Sequence, residues 1–157
     1  MNEGSWWTAR KSTTLSIVVA WIGLAMGVVL IPGMVPVLKM IRVEGTIFND
    51  EFIVRAVGPL YACLGFGIAA VIILLRLLGD IRREEVFTRA NVRRLRLISY
   101  CGFAIMVSCI VGAALAVPRP FFFILGLIAG FLGLLMRVVK NVIEAARLLK
   151  EDADYTI

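Results

Sequence analysis

The chain has 157 residues, 61% of them apolar, a formal net charge of +6 and no histidine. A soluble domain is about 45–50% apolar, so the surplus demands a non-aqueous surrounding. The missing histidine takes away the usual neutral-pH acid–base group and a common metal ligand.

Residues 1–14 form a short polar lead in which Trp6 and Trp7 suit a headgroup interface. Four apolar runs follow, at 15–38, 56–75, 97–117 and 121–136, none of which contains Asp, Glu, Lys or Arg. Each is close to the ~17–25 residues that cross a bilayer core. They predict spans at about 15–38, 52–78, 97–117 and 121–139, in a single membrane domain with a tail over 140–157.

The first helix is expected to start at Thr13 or Thr14, either of which can cap it, and to kink or stop near Ile31. Pro32, Gly33 and Pro36 cause that break, because proline removes a helical donor and crowds the preceding turn. The apolar run is longer than a signal-peptide core and lacks a small-residue cleavage site, so it reads as an uncleaved anchor. In the loop that follows, 43–46 reads as a turn. The second span opens near Phe52, where Arg55 can pair with Glu51 one turn earlier.

The loop between the second and third spans is the most charged part of the chain. Thr88 can cap a helix carrying Arg89, Arg93, Arg94 and Arg96, with Val92 and Leu95 on another face. Such a segment suits the inner headgroup surface before it turns into the bilayer. The third and fourth spans are joined only by Pro118, Arg119 and Pro120, so they must be antiparallel neighbours. The last helix is expected to continue past the membrane with an apolar stripe of Val139, Val142, Ile143, Ala146 and Leu149, then Glu151, Asp152 and Asp154.

Charge placement fixes the expected orientation. With the N-terminus inside, thirteen of the 17 Lys and Arg residues lie on the cytoplasmic side, and only Lys39, Arg42, Arg55 and Arg119 lie outside. That positive-inside bias puts both termini in the cytoplasm. It also accounts for the net charge without nucleic acid, since no folded module carries a basic patch.

Small residues four apart let helix backbones approach closely: Gly23 and Gly27, Ser108 and Gly112, Gly126 and Gly130. They predict packing within the chain, or the seam of a homodimer. Arg89, Arg93, Arg94, Arg96, Glu151, Asp152 and Asp154 are the candidate contacts for anionic inner-leaflet lipid or a protein partner. No catalytic residue, cofactor or metal ligand is expected. Cys63, Cys101 and Cys109 lie inside spans without CxxC spacing and read as packing residues.

Residues 81–96, running from Ile81-Arg82-Arg83-Glu84-Glu85 through Val86-Phe87-Thr88 to the arginine helix, resemble a bacterial family, domain of unknown function 2975. There a charged turn, a Phe after Ile or Val, and a basic helix precede the third span. The closing residues 146–157, a helix, acidic residues and a Thr-Ile terminus, are similar to that family's ending, and the four-span layout matches. The resemblance implies no activity and transfers no functional residue. Some members are encoded beside small helix-turn-helix regulators, which implies signalling.

The expected architecture is therefore an all-α bundle of four transmembrane helices, with a cytoplasmic amphipathic inner-loop helix and an extended C-terminal helix. The expected role is a non-enzymatic bacterial inner-membrane protein that docks or regulates a partner through those two elements. A small transporter subunit acting as a dimer, or an immunity-type protein, is the alternative. The lack of an ionisable residue at mid-membrane counts against transport.

Overall fold

The computed structural model describes residues 3–40, 50–83, 88–115 and 119–155, without the side chains of 3–11, 52, 154 and 155. The expected turn at 43–46 and the charged residues 84–87 lie outside them, as do the Trp6, Trp7 and Asp154 side chains. The described residues form four helices: α1 (Glu3–Met40), α2 (Asp50–Arg82), α3 (Arg89–Leu115) and α4 (Arg119–Tyr155). All four are long and apolar enough to cross a membrane, and no strand occurs among the described residues. Helix satisfies every backbone group within the segment, which hydrocarbon requires because it offers no partner. At ~1.5 Å per residue, even the 27 residues of α3 reach about 40 Å, well beyond a ~30 Å hydrocarbon core.

Several boundaries differ from those expected. α1 begins at Glu3, not at Thr13, and passes through Pro32 and Pro36 without stopping. A proline costs a helix one donor, but ending the helix inside lipid would free many more backbone groups. Help comes from α2, whose Tyr61 hydroxyl donates to the Ile31 carbonyl across 2.7 Å, in the turn just before Pro32. α2 likewise runs through Pro59, and its first turn carries Asp50 and Glu51, charges that suit a helix N-terminus. Glu51 pairs with Arg55 at 2.5 Å. Arg119 and Pro120 belong to α4 rather than to the connecting turn. Proline is tolerated in a first turn because its missing N–H would be unpaired there anyway.

The helices run antiparallel in chain order. α1 lies beside α2, α2 beside α3, and α3 beside α4, and among the described residues no other pair of helix backbones comes close. The four helices of the expected bundle are therefore arranged as an open row. With lipid-like surroundings on both faces, no hydrophobic drive forces α4 back onto α1. Most large apolar side chains on α1 and α4 are accordingly exposed.

One side chain holds the row together at the end opposite Arg89–Arg96. Phe122 of α4 is fully buried and lies against Gly112 of α3, where a Cβ would meet its ring at 2.5 Å. It joins Ile53 and Ala56 of α2 in a cluster that Leu38 of α1 and Ala113 of α3 also touch. Glycine at position 112 leaves the room that this ring fills.

Candidate functional site at the basic end

Antiparallel packing brings the C-terminal ends of α2 and α4 and the N-terminal end of α3 to one end of the row. Thr88 caps α3 there: the Asn91 amide donates to Thr88 Oγ1 at 3.3 Å, and the Asn91 and Val92 amides approach the Thr88 carbonyl at 3.1 and 3.3 Å. Residues 89–96 are the opening turns of α3 itself. They continue into the third span as expected, and Val92 and Leu95 are buried within the protein. Neighbouring helices cover its apolar face.

A polar knot ties α2 to α3. Arg94 Nη1 donates to Asp80 Oδ2 and to Asn91 Oδ1, the latter at 2.9 Å, and Asn91 is fully buried. Asp80 and Asn91 carry no motif, and only the packing of α2 on α3 makes them a unit. Arg94 is thus a structural tie, unlike the exposed Arg89, Arg93 and Arg96.

A second set joins α3 to α4. Arg89 Nη2 lies 3.8 Å from Glu151 Oε1, and Arg147 Nη1 donates to Glu151 Oε2 at 2.7 Å. Asp152 is exposed at the end of the same helix. Along that extension Val142 and Leu149 are 63% and 71% exposed, whereas Ile143 and Ala146 are half-buried, so the expected apolar stripe is split between two directions.

Between these sets, Arg96, Ser99 and Tyr100 of α3 and Arg137 and Lys140 of α4 line a cleft of about 180 Å³. Lys140 Nζ bonds Glu144 Oε2 at 2.7 Å and Asn141 Oδ1 at 3.1 Å. That hydrogen bond and the Lys140 charge, helped by Arg96 and Arg147, hold the Glu144 carboxyl below the usual carboxylate range.

The helix seam beneath the cleft is built from small residues, only some of them at the expected spacing. A Cβ on Gly126 would lie 2.9 Å from Cys109 Cβ, and one on Gly130 would meet the flexible end of Met106 at 2.6 Å. The closest approach to a neighbouring backbone lies elsewhere: a Cβ on Gly102 would lie 2.9 Å from Gly133 Cα and 3.0 Å from the Ala129 carbonyl oxygen. Ser99, buried, donates to the Gly133 carbonyl at 2.7 Å. Gly133 follows Ala129 by four residues and Gly126 by one heptad, sequence signals that could have marked it. Ser108 returns its hydroxyl to the Ala104 carbonyl of its own helix, so it makes no bond across the seam. Gly27 faces Ile68 of α2, and Gly23 meets open space, so Gly23 is no part of a seam within this chain. The fold also places Cys63 and Cys109 of α2 and α3 with their sulfurs 3.7 Å apart, an approach that sequence spacing gives no hint of.

No curated protein and no solved structure matches the chain. The sequence model of one family does, over residues 56–157, which takes in nearly all of α2, all of α3 and α4, and the whole basic end described above. The match covers well over half of the chain, which therefore belongs to the family described as protein of unknown function, DUF2975.

Proposed function

We propose that this is a non-enzymatic multi-pass protein of the bacterial cytoplasmic membrane, with both termini in the cytoplasm. Its basic end docks or regulates a partner through the loop between α2 and α3 and the C-terminal part of α4. The observation that carries this reading is the pair between Arg89 and Glu151, 3.8 Å apart, with the Arg89 side chain 82% exposed. Exposed pairs are worth ~0–1 kcal/mol and weaken with salt, so a charged partner can displace this one. Val142 and Leu149 supply apolar surface on the same extension for that partner to cover. The orientation rests on the thirteen-to-four distribution of the 17 basic residues.

Cysteines placed at the exposed Arg93 and Asp152, which leave the Arg89–Glu151 pair intact, should crosslink in membranes at low salt and less so at high salt, in a chain lacking Cys63, Cys101 and Cys109. Deleting residues 151–157 should change which proteins co-purify with the chain. Absence of the crosslink together with an unchanged set of co-purifying proteins would end the docking reading. Reporter fusions after Glu85 and Tyr155 should read cytoplasmic, and one within 39–50 should read external; an external signal after Glu85 would invert the topology.

A further inference from the structure

We propose that the cleft lined by Arg96, Ser99, Tyr100, Arg137 and Lys140 binds the phosphate group of an anionic phospholipid. Its about 180 Å³ exceed the ~30 Å³ share of one water several-fold, enough for a phosphate group with ordered water. Arginine presents a planar fork that matches phosphate oxygens, and here two arginines and a lysine line one opening from two helices.

The charges in the cleft are not cancelled. Lys140 is engaged by Glu144, Arg96 lies only in the field of that same carboxylate, and Arg137 has no carboxylate partner among the described residues. They are also held in place. The Ser99-to-Gly133 bond and the Gly102–Gly133 backbone approach lie within two helical turns of Arg96 and Arg137, so the two helices are held together close to this level. A site assembled before its ligand arrives loses little freedom on binding.

Depth selects lipid over a free anion. The apolar runs of α3 and α4 start at Leu97 and end at Met136, next to Arg96 and Arg137, so the cleft sits where the apolar surface meets the charged end. Tyr100 is 58% exposed there, a residue type enriched at membrane–water interfaces. Leu97 and Leu135, one and two residues to the apolar side of the two arginines, are 44% and 41% exposed and offer surface to acyl chains. Inorganic phosphate would gain the cations and nothing else.

The inference rests on the membrane placement of this end and not on partner docking. Lipid retention can be read in detergent whichever way the termini face, so failure of the topology and failure of this site are separable. The test is native mass spectrometry of the full chain titrated with phosphatidylglycerol, with phosphatidylcholine as the uncharged-headgroup control. Wild type should retain phosphatidylglycerol preferentially, and Arg96→Gln and Arg137→Gln should each weaken retention by about fivefold, the effect of one surface cation. Arg76→Gln, exposed on α2 and outside the cleft, should leave retention unchanged. Glu144→Gln, which releases Lys140 from its carboxylate, should tighten retention, a gain that unfolding cannot mimic. Equal losses in all three arginine variants, or no gain in Glu144→Gln, would reduce the site to diffuse surface charge. Displacement of the lipid by millimolar inorganic phosphate would make this a free-phosphate site and overturn the lipid assignment.

Discussion

α1 and the α3–α4 pair are both long apolar helices, yet they are held in opposite ways. Among the described residues the α1 backbone approaches only α2, its one buried side chain is Ala20, and it has one described side-chain hydrogen bond from its neighbour, Tyr61 to Ile31. α3 and α4 press backbone on backbone from Gly112 and Phe122 to Ser99 and Gly133, and continue to Arg89 and Glu151. The family match begins at Ala56 and leaves α1 out. Apolarity puts a helix in the membrane, but it does not bind one helix to another, because lipid tails are as apolar as leucine. Association comes from close packing and from hydrogen bonds across the seam. α3 and α4 have both, and α1 has little of either.

This contrast can be broken at its strongest point. Phe122→Ala should cost about 3 kcal/mol, the low end for loss of a buried phenylalanine, because all four helices meet around it. Unfolding in mixed micelles of graded denaturing detergent measures this. A cost no larger than that of exposed Phe123→Ala would mean the cluster holds nothing together.

A smaller effect sharpens the same comparison. Gly102→Leu meets the backbone of Gly133 and Ala129, which cannot yield as a side-chain tip can, and should cost about 2 kcal/mol. Gly23→Leu meets open space and should stay within ~0.5 kcal/mol of wild type. Equal effects in that assay would remove the distinction between the seam and α1. Between them lies Gly130→Ala, where Met106 can rotate away.

The interhelical hydrogen bonds come next. Ser99→Ala and Tyr61→Phe should each cost ~0.6 kcal/mol, the average for such bonds in membranes. The two differ in consequence: Tyr61→Phe should loosen only α1, read as faster hydrogen exchange around Ile31, with α3–α4 unaffected.

The smallest effect is one of pH. Glu144 has a lowered folded-state pKa, first through the Lys140 hydrogen bond and then through the Lys140 charge, with Arg96 and Arg147 adding to it. A depressed carboxyl stabilises the fold above its unfolded pKa, near 4.5, and that contribution fades as pH falls through the folded value. Acid titration should therefore show a larger loss of stability below that pH in wild type than in Glu144→Gln, which keeps the other carboxylate pairs.

The amino-acid sequence determined that the chain is helical, how many membrane-capable helices it has, and that α3 and α4 are neighbours. Length, apolarity and a short connection are local properties, and hydrocarbon leaves helix as the only way for such runs to satisfy their backbones. The Thr88 cap and the Glu51–Arg55 pair were legible for the same reason, since their partners lie within one turn. Gly126 and Gly130 were legible as a spacing, but not the helix they face. Only the tertiary structure decided that the row stays open, that Gly102 and Gly133 make the closest backbone approach, and that Gly23 faces nothing. It alone gathered Asp80, Asn91 and Arg94 into a knot, and Arg96, Arg137 and Lys140 around one cleft. Those groupings depend on the rotation and axial offset of one helix against another. Small differences in packing set both, and no single helix records them.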